Sequence, residues 1–211
     1  ESSLSLRVGP ELTFARSNAV EDLDSNASLA GARVNAAYYP ALGSGRFGAS
    51  LDYSGGLLKM SGEERIRLRL HRLTVSALAR WVFESDGAGG LTAGVRGSYH
   101  LFLMENLKDA GAYNFTRLYG PAAGVFLEDP VLSRFIDAPS LEPLRLTGGA
   151  GLQYLPGDGD EAPVIPWQFR LGAEYRLPRV SYGIRFRHYR IGQEELQERF
   201  NDIAVTVGYE Y

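Results

Sequence analysis

The last ten residues, Asp202 to Tyr211, read DIAVTVGYEY. Ile203, Val205, Val207, Tyr209 and Tyr211 are apolar or aromatic; Ala204, Thr206, Gly208 and Glu210 between them are small or polar. A strand turns successive side chains to opposite faces, so this stretch has one apolar and one polar face. In a soluble protein another segment must cover the apolar face. The sequence ends here on an aromatic residue, and a strand that closes a barrel in lipid needs no cover. About nine more segments of the same kind are then expected before it.

The alternation does recur upstream. In 4–15, Leu4, Leu6, Val8, Leu12 and Phe14 oppose Ser5, Arg7, Gly9, Glu11 and Thr13. Segments 28–39, 46–57, 91–104, 113–127, 143–155, 167–177 and 180–191 repeat the pattern. The run 66–83 is long for one strand. Its apolar residues fall on even numbers (Ile66, Leu68, Leu70) and then on odd ones (Leu73, Val75, Ala77), which predicts a β-bulge near His71–Arg72 or a strand that extends beyond the lipid. With the final segment, ten strands are predicted. Polar loops are expected at 16–27, 58–65, 105–112, 156–166 and 193–201, and tight turns at 40–45, 84–90 and 178–179.

Composition agrees with this reading. A length of 211 residues suits one domain, 1–211. The absence of cysteine excludes a disulfide framework and a cysteine metal site. A net charge of −3 provides no basic field for nucleic acid. Of the 22 basic residues only Lys59 and Lys108 are lysine. No apolar run is long enough for a transmembrane helix. No signal peptide stands at Glu1, so the numbering is expected to start at or near a mature N-terminus.

An even strand count, longer loops on one side and short turns on the other resemble the bacterial outer-membrane β-barrels, as does the aromatic C-terminal residue. The resemblance covers the whole chain and is one of architecture. It implies an all-β, closed antiparallel transmembrane barrel in the outer membrane of a Gram-negative bacterium, with both termini on the periplasmic side. It also implies aromatic girdles from Tyr38, Trp81, Tyr154, Trp167, Tyr175, Tyr209 and Tyr211. A soluble sandwich or lipocalin-like barrel is the alternative. Against it stand the arginine-rich polar faces and the consistently apolar opposite faces of all ten segments.

The polar faces gather the candidate lumen residues Arg7, Glu11, Arg33, Asp52, Arg80, Arg96, Arg145, Arg170, Glu174, Arg176, Arg185, Arg187 and Glu210, nine arginines against four acids. A ten-stranded barrel lies near the size at which side chains fill the interior. The set is therefore read as a packed network of arginine–carboxylate pairs, with a narrow anion-leaning pore as the alternative.

Barrel enzymes exist, among them lipid A deacylases with serine and histidine and omptin-type proteases with aspartate and histidine. Ser98 and His100 share one face here, but spacing supplies no third group. His71 and His188 are expected to be interfacial or hydrogen-bonded. Three scattered histidines make no metal site, and no phosphate loop or calcium motif implies a cofactor.

Residues 128–142 (EDPVLSRFIDAPSLE) break the pattern on the turn side, where connections should be short. Val131, Leu132, Phe135, Ile136 and Leu141 are spaced like a short amphipathic helix between two prolines, and are expected either to cap the barrel mouth or to dock a partner. Val205, Val207, Tyr209 and Tyr211 form the terminal strand that outer-membrane assembly machinery would receive. The expected function is a non-enzymatic structural or interaction protein that contacts an envelope assembly. Its partners are the bilayer, lipopolysaccharide and other envelope proteins. A passive channel is the second reading and a barrel hydrolase the third.

Overall fold

In the computed structural model of the chain the described residues are 3–17, 27–40, 46–60, 67–83, 91–106, 117–129, 143–154, 164–192 and 197–211. They form ten strands: β1 (Ser3–Ser17), β2 (Ala27–Tyr39), β3 (Phe47–Met60), β4 (Arg67–Phe83), β5 (Leu91–Asn106), β6 (Arg117–Asp129), β7 (Leu144–Gln153), β8 (Trp167–Arg176), β9 (Val180–Gly192) and β10 (Gln197–Glu210). Each pairs antiparallel with its neighbour in sequence, and β10 pairs with β1, so the sheet is a closed barrel without edges. One end carries the termini and the β2–β3, β4–β5, β6–β7 and β8–β9 connections; the other carries the remaining five.

The faces follow the alternation. Leu6, Val8, Leu51, Val75, Val125, Leu171, Ile184 and Val205 point outward, and Leu171 is 57% exposed. Tyr38, Trp81, Tyr175, Tyr209 and Tyr211 are exposed toward the terminus end, Tyr154 and Trp167 toward the loop end. An apolar belt of this extent would be a severe liability in water and is the natural surface in hydrocarbon.

The closing seam is tight. Between Val8↔Val207 and Glu11↔Ala204 the β1–β10 pairing is interrupted at Gly9 and Pro10. Proline lacks the amide hydrogen that a ladder needs. At Gly9 an added Cβ would fall 1.8 Å from the Val205 carbonyl oxygen, so only glycine lets β1 approach β10 there.

Four sequence expectations are corrected. No bulge interrupts β4: its pairing runs unbroken from Lys59↔Arg67 to Phe47↔Ala79 on β3 and from Leu68↔Asn106 to Phe83↔Leu91 on β5. Leu70 is on an even number because it faces inward, into an apolar layer of the lumen where it is fully buried. The final strand starts at Gln197, not Asp202, so Phe200 belongs to the barrel wall rather than to a loop. β6 continues through Glu128 and Asp129, which pair with Thr147 and Leu146, so the anomalous connection starts later than 128. β3 and β5 likewise run on to Met60 and Asn106, into stretches read as loop.

Candidate functional site

The site is the lumen, which is layered. Nearest the loop end Ala15, Leu70, Phe102, Tyr189, Ile191 and Phe200 are all buried. The Phe102 and Phe200 rings meet edge-on at 5.4 Å, and Tyr189 lies 6.4 Å from each. The Tyr189 hydroxyl donates to Gln153 Oε1 at 2.6 Å, which satisfies its polar tip in an otherwise apolar layer.

Beneath this layer lies a buried ionic one. Arg72 Nη1 and Nη2 donate to Asp202 Oδ2 and Oδ1 at 2.7 and 3.0 Å, and Nη2 also reaches Glu11 Oε1 at 2.7 Å. Arg187 Nε donates to Asp202 Oδ2 at 2.6 Å. Thr13 donates to Asp202 Oδ1 at 2.7 Å, and Ser54 accepts from Arg72 Nε at 3.1 Å. Arg33 binds Asp52 and stands 3.6 Å from Glu11. Buried charges are tolerable only when paired and hydrogen-bonded in this way. The bidentate Arg72–Asp202 contact is the strong form.

Toward the terminus end the lumen opens into two adjoining cavities. One, of about 170 Å³, is lined among others by Arg33, Asn35, Asp52, Arg96, Glu128, Thr147, Arg170, Arg185 and Arg187. The other, of about 370 Å³, shares Tyr39, Phe126, Glu128, Thr147 and Arg185 with it and extends to Ser3, Ser5 and Tyr211 at the rim. Arg7 Nε donates to Glu174 at 2.8 Å, and Arg176 pairs with Glu128 at 2.7 Å and approaches Glu174 and Glu210. The Arg80 guanidinium lies 3.7 Å from the centre of the Tyr39 ring. Arg145 donates to the Leu144 carbonyl at 3.3 Å.

Three members of the ionic set were not singled out from sequence: Arg72, Glu128 and Asp202. With them the inward set has ten arginines (nine plus Arg72) against six carboxylates (four plus Glu128 and Asp202). Parity was the available signal. Arg72 shares its face with Thr74 and Ser76, and Asp202 shares its face with Ala204 and Thr206. The apolar layer was missed as well, although Phe102 has the parity of His100, and Tyr189 and Ile191 that of Arg187.

Ser98 and His100 do not meet. Ser98 Oγ lies 3.1 Å from Ser76 Oγ, and His100 Nδ1 lies 3.1 Å from Thr74 Oγ1, each across to β4. His71 faces outward, 2.8 Å from the Tyr53 hydroxyl, and His188 is 2.7 Å from Asn201 Oδ1 with Trp167 at 4.9 Å. Among the described residues no group of three or more potential ligands could hold a metal ion. Val131, Leu132, Phe135, Ile136 and Leu141 lie outside the described residues. Val205, Val207, Tyr209 and Tyr211 face outward on the closing strand, and Tyr211 exchanges backbone hydrogen bonds with Leu4 at 2.8 and 3.2 Å.

No family model matches this sequence, and no curated protein sequence does. Solved structures do. An outer-membrane channel from Pseudomonas putida F1 is similar over all of this chain and 95% of its own, at 11% identity and a TM-score of 0.52. Neisserial surface protein A is similar over 99% of this chain and 97% of its own, at 13% identity and a TM-score of 0.45. Ail, the attachment invasion locus protein of Yersinia pestis, is similar over 100% and 99%, at 9% identity and a TM-score of 0.41. At these identities the likeness is one of fold: this chain is a closed antiparallel β-barrel of the outer-membrane type.

Proposed function

We propose that this protein is a sealed, non-conducting barrel of the bacterial outer membrane that acts as a structural or interaction protein rather than as a channel or an enzyme. The observation that supports it is the double closure of the lumen: an apolar layer centred on Phe102, Tyr189 and Phe200 lies directly on the buried Arg72–Asp202–Glu11–Arg187 network. An ion crossing it would have to shed its water against aromatic rings and then displace charges already paired with each other. In this reading the termini face the periplasm and a signal peptide has been removed. The outer belt meets lipid and lipopolysaccharide, and Val205, Val207, Tyr209 and Tyr211 present the closing strand to the assembly machinery. Residues 128–142 or the outer loops contact another envelope protein.

Planar-bilayer recording of the refolded protein tests the reading. The expected record is silent for the wild type, and silent also when Phe102 and Phe200 are both changed to alanine, because the ionic layer beneath them still closes the lumen. Discrete wild-type openings with anion preference would overturn it and make the lumen a narrow anion-leaning pore.

A further inference from the structure

The terminus-side lumen holds more positive charge than its carboxylates can neutralise, and the surplus is concentrated at one place. The 170 Å³ cavity is lined by five arginines and two carboxylates, Asp52 and Glu128. Both carboxylates are already engaged, Asp52 by Arg33 and Glu128 by Arg176. Arg33 and Arg187 are likewise held by acids of the sealing layer. Arg96, Arg170 and Arg185 remain, contributed by β5, β8 and β9. Arg170 donates to the neutral Gln168 at 3.1 Å, and Arg96 lies 6.0 Å from the centre of the Phe126 ring. None of the three is within ion-pair distance of a carboxylate among the described residues.

We propose that this cavity is a binding site for a compact oxyanion, a phosphate or a phosphomonoester group, held between Arg96, Arg170 and Arg185. Guanidinium forks match the oxygens of a phosphate, and like charges gathered out of bulk water call for an anion between them. Asn35, Ser50 and Thr147 line the same space and add neutral hydrogen-bonding groups. The volume accommodates a phosphate with several waters. Access is from one side. The adjoining cavity leads to the rim at Ser3 and Tyr211, and in the sealed barrel proposed above, on which this one-sidedness rests, the apolar and ionic layers close the opposite end. A passage needs two mouths; a charged recess with one is a receptor for what enters it.

The test is calorimetric titration of the full-length protein, refolded in an uncharged maltoside detergent, with inorganic phosphate. Ionic strength is held constant with chloride. Saturable binding is expected, weakened about tenfold or more in Arg170→Gln and in Arg96→Gln, and unchanged in Arg179→Gln at the exposed β8–β9 turn. Asn35→Asp, which keeps the side-chain size and adds an internal carboxylate to the cavity, is expected to weaken binding similarly even if an arginine variant fails to refold. Glycerol phosphate and short-chain phosphatidic acid are titrated in parallel. Binding of the soluble anions assigns the site to a free oxyanion; binding of phosphatidic acid alone assigns it to a lipid headgroup. No saturable binding of any of the three beyond chloride, or equal affinity in wild type and Asn35→Asp, overturns the proposal. Conductance is not the readout, so failure here leaves the seal standing, whereas binding in a barrel that conducts would make the same arginines the lining of a passage rather than of a one-sided recess.

Discussion

Arg72 on β4 grips Asp202 on β10 with its two terminal guanidinium nitrogens, Nη1 and Nη2, at 2.7 and 3.0 Å. The two strands are separated by β3, β2 and β1 around the ring, so the contact spans the lumen rather than following the wall. Asp202 also accepts from Arg187 and Thr13. One carboxylate thus ties together four strands.

Asp202→Ala should therefore be among the most damaging single changes. It leaves Arg72 and Arg187 buried with only Glu11 between them, and removal of one partner from a buried ionic cluster costs about 3–5 kcal/mol. Urea unfolding of the refolded barrel, followed by the mobility shift of folded against unfolded protein in unheated gels, measures the loss. Arg72→Met combined with Asp202→Leu should cost less than the sum of the single changes, because the two charges disappear together.

Phe200→Ala removes the most deeply buried ring of the apolar layer, and Phe102→Ala its edge-on neighbour. Each should destabilise by about 3–5 kcal/mol, the cost of emptying a packed aromatic site. Denaturant midpoints give the stability, and bilayer recording of the same variants reports whether the seal has opened.

The outer face should be sensitive to charge by depth. Val205 is opposite Ile184 at the middle of β10, whereas Phe83 ends β4 at the rim. Arginine at Val205 should cost about 2–4 kcal/mol and at Phe83 about 0–1 kcal/mol when folding is measured in lipid vesicles. Equal penalties in the two places would contradict the assignment of this face to hydrocarbon.

Glycine replacements should separate the seam from the open wall. Gly9→Ala drives a methyl into the Val205 carbonyl, and β1 or β10 must shift to admit it. Slow or incomplete closure in a refolding time course is expected. At Gly97 nothing lies within 4 Å of an added Cβ. Gly97→Ala should fold normally and gain about 0.4–1 kcal/mol from the reduced freedom of the unfolded chain.

The barrel was legible because lipid makes the strand period visible. When one face must be apolar for its whole length, Leu4, Leu6 and Val8 or Ile203, Val205 and Val207 betray the wall without any partner in view. The reading failed where the inner face turned apolar. Leu70 and Phe200 obey the same alternation, but an apolar inward residue looks like a slipped register or a loop when only hydrophobicity is followed. Hence a bulge was expected in β4 and a late start for β10.

By itself the sequence determined that this chain is a ten-stranded barrel with an arginine-rich lumen, because strand period and charge are local properties of the chain. Only the tertiary structure decided which charges meet. Arg72 is 130 residues from Asp202 in sequence, and Arg7 is 167 from Glu174. Their pairing depends on ring closure and strand register, which bring distant positions to one depth of the lumen. The same register brings Arg96, Arg170 and Arg185 to one cavity with no carboxylate within ion-pair distance of them among the described residues, and brings Phe102, Tyr189 and Phe200 into one layer. Periodicity gives the face of each side chain, but its depth and its opposite number come from the closed sheet.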